Sequence, residues 1–130
     1  MSGKDCFLDT NIIVPFLNGE SSITDKVNTL EFIHLPAIVL GELYYGAMKS
    51  LHMKKNLERI KILVDRCEAY PISEKTTALY GELKALLSKK GTPIPENDIW
   101  IAALAKEYDL SLVTRDKHFK YIPGIEIIVW

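Results

Sequence analysis

The sequence has 130 residues, of which 48% are hydrophobic and 25% are charged, and its formal net charge is −1. This length suits one domain with a substantial core, so we expect a single domain over residues 1–130. No apolar run reaches the roughly 18 residues of a membrane span and no secretory signal is evident, so we expect a cytoplasmic protein. The near-neutral charge excludes a generally basic surface, so any nucleic-acid binding must depend on a local patch.

Short strand-like segments alternate with longer helical segments along the chain. Five strands are predicted in "CFL", "EFIHL", "CEAYPI", "LSLVT" and "IEIIVW". Helices are predicted in "NIIVPFLNG" (distorted by Pro15), "SITDKVNTL", the segment from Pro36 to about Lys49, "MKKNLERIKILVDR", "SEKTTALYGELKALLSKK" and "PENDIWIAALAKEYD". Strands separated by helices are typical of βαβ units. The predicted fold class is therefore α/β, with a parallel sheet of about five strands covered by helices.

Three aspartates fall where parallel strands end or the following helices begin. Asp9 directly follows the first strand, Asp116 lies just past the fourth, and Asp98 lies in the first turn of a helix. Ligands of such sheets bind outside the carboxyl ends of the strands, so these carboxylates are expected to share one edge. Asp9 has an alternative role as a helix cap, and Asp98 is also favoured there by the helix dipole.

Glu42 is a fourth candidate, on the margin of an apolar helix stripe that contains Val39 and Leu43. Its neighbours Gly41 and Gly46 each cost roughly 1 kcal/mol relative to alanine inside a helix, which predicts close approach of another backbone. Periodicity alone leaves the choice between a site residue and a solvated helical glutamate open.

Carboxylates gathered within a few ångströms repel one another and must take up a proton or a cation. Oxygen ligands of this kind suit Mg²⁺ or Mn²⁺, which also bind phosphate oxygens. The chemistry that fits is metal-dependent hydrolysis of a phosphodiester without a covalent enzyme intermediate. Asn11 and Thr114 are candidates for orienting the ligands or the attacking water.

Basic residues are concentrated in two places. Arg115, Lys117 and Lys120 surround Asp116 and are candidates for nucleic-acid contacts. The second cluster, within residues 49–66, is explained for most of its members by a solvated helix face. The histidines His34, His52 and His118 show no ligand spacing, so none is expected to bind a metal. The two cysteines, Cys6 and Cys67, are expected to be inert buried thiols.

The motifs "LDTNI", "GELYYG", "NDIWIAALA" and "VTRDKHF", in this order and at these separations, resemble those of the PIN domain, and more narrowly of VapC-type toxins of toxin–antitoxin pairs. The resemblance covers almost the whole chain. It implies a three-layer α/β/α sandwich with five parallel strands and an endoribonuclease that depends on Mg²⁺ or Mn²⁺. It also implies a homodimer and neutralisation by a small VapB-type antitoxin, which occupies a groove beside the active site.

Matched position by position, the resemblance assigns the four acids of the family to Asp9, Glu42, Asp98 and Asp116. It assigns accessory polar roles to Asn11 and Thr114. No acid is missing, so an active nuclease is expected. Transfer RNA and ribosomal RNA are the candidate substrate classes.

Other functions fit the sequence less well than this one. A phosphatase with an aspartyl-phosphate intermediate normally needs a second aspartate where this chain has Asn11, and a receiver domain fits the positions of Asp5 and Asp9 poorly. A non-catalytic binding module is disfavoured because all four acids are present. Within the nucleases, an RNA-processing PIN enzyme is the main alternative to a toxin.

Overall fold

Five parallel strands form one sheet in the computed structural model, which describes residues 5–130. The strands are β1 (Cys6–Leu8), β2 (Ile33–Pro36), β3 (Cys67–Tyr70), β4 (Ser111–Val113) and β5 (Ile127–Ile128). Their spatial order is β3-β2-β1-β4-β5, and every neighbouring pair is parallel. The predicted α/β fold class and the parallel sheet of five strands are confirmed.

Six helices connect the strands and complete the three-layer α/β/α arrangement. They are α1 (Thr10–Leu17), α2 (Ser21–Val27), α3 (Ala37–Met48), α4 (Met53–Val64), α5 (Glu74–Lys90) and α6 (Glu96–Tyr108). Pro36 is the last residue of β2 and the cap of α3, so the prediction that it is the first helical residue was wrong by one position. A 3-10 helix, Lys117–Tyr121, was not predicted.

The central strands and α6 are the most apolar elements because they form the core. Phe7 and Leu8 of β1 and Leu112 of β4 are fully buried, because the sheet is covered on both faces. Helix α6 is buried on several sides, with each residue from 101 to 105 enclosed. Three of these five residues are alanines, which allow neighbouring elements to pack closely. This packing fixes the start of α6, where Asp98 lies.

The strand order places β1 at the point where the chain changes direction across the sheet. The connections after β1 lead to β2 and β3 on one side, and β4 then returns to pair with the opposite edge of β1. A crevice forms at such a switch point, outside the carboxyl ends of the two central strands. Asp9 and Thr114 directly follow β1 and β4, so both residues lie at this crevice.

Several smaller expectations can be compared with the structure. The cysteines are unpaired: Cys6 is buried, which raises the pKa of its thiol to about 11, and Cys67 is half-buried.

Helix α1 continues through Pro15. A Cβ added at Gly41 or Gly46 would lie more than 4 Å from residues outside its own helix, so the close backbone approach expected there is not made within residues 5–130. In the same range, no helix is both long and apolar enough to cross a membrane.

Candidate metal centre

Asp9 both caps a helix and contributes a carboxylate to the edge of the sheet. Its Oδ1 accepts a 2.8 Å hydrogen bond from the backbone N–H of Thr10, the first residue of α1. Its Oδ2 accepts a 2.7 Å bond from the Thr114 hydroxyl. Burial raises the pKa of Asp9, these two hydrogen bonds oppose the rise, and the negative charges of Glu42 and Asp116 add to it. The cap and the site therefore use the same side chain.

Asn11 and Thr114 connect the ends of the two central strands. The Asn11 amide donates to Asp9 Oδ2 at 3.3 Å and to Thr114 Oγ1 at 3.1 Å, while its oxygen accepts from the backbone N–H of Arg115 at 2.9 Å. Thr114 Oγ1 also accepts a 3.0 Å bond from the backbone N–H of Asp116. Both residues thus orient acidic groups, as expected of side chains that support a metal centre.

Glu42 is held by two donors from other elements. Thr10 Oγ1 donates to its Oε1 at 2.7 Å, and the Asn97 amide donates to its Oε2 at 3.3 Å. Thr10 lies at the start of α1 and Asn97 at the start of α6, so Glu42 faces the crevice instead of open solvent. Sequence reasoning identified neither Thr10 nor Asn97, although each is the immediate neighbour of a candidate acid.

Asp98 and Asp116 form a close carboxylate pair. Asp98 is only 7% exposed, and its Oδ2 is buried without a hydrogen-bond partner within residues 5–130. Burial, together with the proximity of Asp116, raises the pKa of Asp98 to about 8. Burial also acts to raise the pKa of Asp116, but the backbone N–H of His118 and the pairing with Asp98 lower it overall. The pKa values of the two neighbouring carboxylates are therefore shifted in opposite directions.

His118 lies beside this pair, at the start of the 3-10 helix. Its Nδ1 is 2.7 Å from Asp116 Oδ1 and 4.0 Å from Asp98 Oδ2. Donor atoms of Asp98, Asp116 and His118 all lie within 4.8 Å of one another and could hold a metal ion. The spacing of histidines along the sequence gave no sign of this arrangement, because the three residues converge only through the fold.

All six predicted site residues lie at the same crevice, but they form two subgroups. Asp9, Asn11 and Thr114 make one hydrogen-bonded network with Thr10, which links it to Glu42. Asp98 and Asp116 make the tighter pair with His118. The charges of Asp9 and Glu42 contribute to the raised pKa of Asp98, so the two subgroups interact electrostatically.

Of the three basic residues predicted to contact nucleic acid, one already binds groups of the protein itself and two are exposed. Arg115 donates from Nη2 to Glu20 Oε2 at 2.7 Å and from Nε to the backbone oxygen of Trp130 at 3.2 Å. Lys117 and Lys120 are exposed on the 3-10 helix. In the second cluster, the lysines of α4 are exposed, which agrees with a solvated helix face.

A groove of about 300 Å³ extends from the site along α1, α3 and α4. Thr10 and Glu42 line the end nearest the carboxylates, and Arg59 and Asn56 line the part formed by α4. Its remaining lining residues are Val14, Leu17, Asn18, Leu43, Gly46, Ala47 and Ile60. The groove is thus mainly apolar, with an acidic end and a basic side chain along its length.

Comparison with known proteins identifies the fold and the family. The PIN-domain family matches residues 6–125. The structure superposes on a VapBC2 complex of Rickettsia felis bound to promoter DNA with a TM-score of 0.89 and 36% identity, covering 95% of this chain and 97% of that one. It also superposes on DNA-bound VapBC of Salmonella typhimurium with a TM-score of 0.91 and 32% identity, covering 97% and 98%. The chain belongs to the PIN-domain family.

Curated relatives assign the chain to a narrower group within this family. Ribonuclease VapC2 of Rickettsia felis is 38% identical over 130 residues, which cover 95% of this chain and 96% of the relative. The tRNA(fMet)-specific endonuclease VapC of Salmonella typhimurium is 34% identical over 126 residues, with the same coverage. Within the PIN-domain family, the chain is a member of the VapC group, and the resemblance found in its motifs is confirmed.

Proposed function

We propose that Asp9, Glu42, Asp98 and Asp116 hold a divalent metal ion with which this VapC-group nuclease hydrolyses RNA phosphodiester bonds. The observation that carries this proposal is the buried Asp98 Oδ2, which has no hydrogen-bond partner in the described part of the chain. A buried unpaired carboxylate oxygen is costly, and a bound cation would satisfy it. Carboxylate oxygens are also the ligands that Mg²⁺ and Mn²⁺ prefer, so the residues fit the metal.

The chain's own residues prepare the site in distinct ways. Thr114 and the Thr10 backbone hold both oxygens of Asp9. Asn97 and the Thr10 hydroxyl do the same for Glu42. A cation held beside Asp98 would favour the ionised form of this carboxylate, whose pKa is raised to about 8 without one. Asp9 and Glu42 are therefore oriented before substrate binds.

The reaction is direct hydrolysis. Water attacks phosphorus, the P–O bond to the leaving nucleoside breaks, and the leaving oxygen takes up a proton. A bound divalent cation supplies positive charge that polarises the phosphate oxygens and the attacking water. Mg²⁺ or Mn²⁺ is the proposed cofactor, because the four acids accommodate either ion.

Transfer RNA is the proposed substrate class. The support comes from the 34%-identical relative, which is named a tRNA(fMet)-specific endonuclease, and no feature of this chain specifies which tRNA is cut. Lys117 and Lys120 are the proposed contacts to the RNA backbone, because they are exposed next to Asp116. Arg115 remains a weaker candidate, since its guanidinium already binds Glu20.

A VapB-type antitoxin is the proposed partner, and the solved VapBC complexes that resemble this chain support it. The apolar groove that begins at Glu42 and Thr10 suits an antitoxin segment, with a basic residue of the antitoxin reaching the carboxylates in place of the metal. The homodimer implied by the family stays a prediction, which light scattering on the purified toxin will check.

Metal-dependent cleavage of tRNA tests the proposed function. A panel of purified tRNAs and ribosomal RNA fragments is incubated with the toxin in EDTA, and Mg²⁺ or Mn²⁺ is then added back. We expect cleavage only with metal. In Asp9→Asn we expect at least about a hundredfold loss, because one ligand and its charge are removed.

The matched control is Asp25→Asn, which removes an exposed carboxylate of α2 away from the site. This variant should cleave like the wild type. Cleavage that persists in EDTA, or Asp9→Asn that cuts as fast as Asp25→Asn, contradicts the proposal.

The hydroxyl of Thr10 holds Glu42, and it can be removed without removing the backbone bond of Thr10 to Asp9. Thr10→Val keeps the side-chain shape and the backbone bond to Asp9, but it removes the donor to Glu42 Oε1. We expect kcat/KM for RNA cleavage to fall about tenfold or more, as when a residue that orients a metal ligand is lost. Thr10→Ser restores the donor and should recover most of the activity. Equal rates in the valine and serine variants would show that this hydrogen bond does not matter.

A further inference from the structure

We propose that His118 is a nitrogen ligand of the metal centre and makes it prefer Mn²⁺ and related transition-metal ions over Mg²⁺. This inference rests on the proposed function, because it specifies which ion the same site takes. It adds to the four carboxylates a residue whose position in the sequence gave no indication of metal binding.

The position of the His118 ring carries the argument. Its Nδ1 faces two carboxylate oxygens, Asp116 Oδ1 at 2.7 Å and Asp98 Oδ2 at 4.0 Å. Two ligands of one ion can be at most about 4.2 Å apart when each lies about 2.1 Å from it. Both distances satisfy this limit. The oxygen on the far side, Asp98 Oδ2, is also the buried atom without a hydrogen-bond partner among residues 5–130, so it is available as a ligand of the same ion.

The local fold keeps the ring in this place. Asp116 caps the 3-10 helix by accepting a 2.9 Å bond from the His118 backbone N–H, which turns residue 118 back towards the carboxylates. The next residue, Phe119, is fully buried and anchors the short helix in the core. The His118 side chain is itself 52% exposed, so an arriving ion can reach it.

The chemistry of the donor set predicts the preference. A neutral imidazole with its proton on Nε2 presents a lone pair at Nδ1. Mg²⁺ binds oxygen ligands and keeps several waters, whereas transition-metal ions accept imidazole nitrogen more readily, and Mn²⁺ is the one among them that also suits carboxylates. Loss of the nitrogen should therefore weaken Mn²⁺ binding while leaving Mg²⁺ binding, which depends on the carboxylates, nearly unchanged.

His118 could instead serve only to orient Asp116 through its hydrogen bond. Replacing His118 with asparagine distinguishes this role from that of a metal ligand. In His118→Asn, the amide nitrogen occupies nearly the position of Nδ1 and can still donate to Asp116, but it has no lone pair for a metal. The exposed His52, at the start of α4, provides the matched control His52→Asn.

The experiment measures equilibrium binding of Mn²⁺ and Mg²⁺ to the full-length toxin, free of antitoxin and RNA. Calorimetry gives the affinities, and pulsed electron paramagnetic resonance of bound Mn²⁺ reports directly on nitrogen coordination. In His118→Asn we expect about tenfold or greater loss of Mn²⁺ affinity, less than twofold change for Mg²⁺, and loss of the nitrogen signal. His52→Asn should match the wild type in all three.

Other results overturn the inference. No nitrogen signal in the wild type, or equal changes for the two ions in His118→Asn, would leave His118 as a positioning residue at most. The Asp98→Asn variant separates this failure from failure of the proposed function. If the wild type binds either ion and Asp98→Asn does not, the carboxylate site stands even when His118 plays no part. If the wild type binds neither ion, both proposals fail.

Discussion

Replacing Asp98 with asparagine is expected to abolish RNA cleavage and, at the same time, to stabilise the metal-free protein at alkaline pH. The loss of activity, at least about a hundredfold, follows from removing a proposed metal ligand. The gain in stability follows from burial: the residue is only 7% exposed, and one of its side-chain oxygens is unpaired within the described residues. The variant keeps nearly the same volume but no longer has a charge to bury.

The sign of the pH effect can be worked out from the pKa of Asp98. Its value rises from 3.8 to about 8 on folding, so between these values the folded state holds a proton that the unfolded chain has released. This carboxylate therefore makes the free energy of unfolding fall as pH rises from about 4 to about 8. Asparagine does not titrate, so the advantage of the variant grows over this window and levels off above it.

Urea unfolding in EDTA at pH 5, 7 and 8.5 measures this difference. We expect an advantage on the order of 2 kcal/mol at pH 8.5, less than the full shift implies because Asp116 shares the proton. Asp25→Asn, an exposed acid on α2, serves as the control and should follow the wild type. Wild type and Asp98→Asn with parallel pH profiles would contradict the burial argument, whatever happens to cleavage.

Filling the groove at Gly46 is expected to separate inhibition from catalysis. Gly46 lines the groove on α3, and a Cβ added there would meet no atom of residues 5–130 outside its own helix within 4 Å. The Cβ of a larger side chain therefore has room at this position, and in Gly46→Trp the indole would extend into space that the proposed antitoxin segment needs. We expect at least about a hundredfold weaker antitoxin binding, or about 2.7 kcal/mol, with RNA cleavage retained.

Gly46→Ala is the matched control, since it adds only a methyl group and should raise helix stability by up to about 1 kcal/mol. Calorimetric titration with the antitoxin and parallel cleavage assays give the two readouts. Normal antitoxin binding by Gly46→Trp would exclude this groove as the docking site. Loss of cleavage together with antitoxin binding would instead show that RNA uses the same groove.

The fold was predictable because its signals are local. The central strands β1 and β4 lie in short apolar runs, and α5 has recognisable ends: Ser73 caps it and Gly91 ends it in a left-handed conformation. The positions of Asp9, Asp98 and Asp116 relative to these elements were enough to bring them to one edge. Glu42 needed the family resemblance, because a helical glutamate beside an apolar stripe fits either environment.

The unpredicted parts of the site depend on contacts between distant elements. Thr10 and Asn97 meet Glu42 from 32 and 55 residues away, and no pattern in the sequence encodes such pairing. His118 was missed because its 3-10 helix of five residues is too short to produce a period. The glycines of α3 indicated close approach, but they lie in the open groove or at the surface of the described chain.

The bond between Thr114 and Asp9 also has a consequence for the order in which the protein is made. These residues are 105 positions apart, so the ribosome needs roughly 5 to 20 s to reach Thr114 after it has added Asp9. Until β4 pairs with β1, Asp9 lacks this partner and Asp116 is not yet in place. An unfinished chain therefore has no complete centre, and translation that stops before β4 leaves a fragment without Thr114 and Asp116. The complete centre forms only after this delay, by which time the proposed antitoxin can already be present.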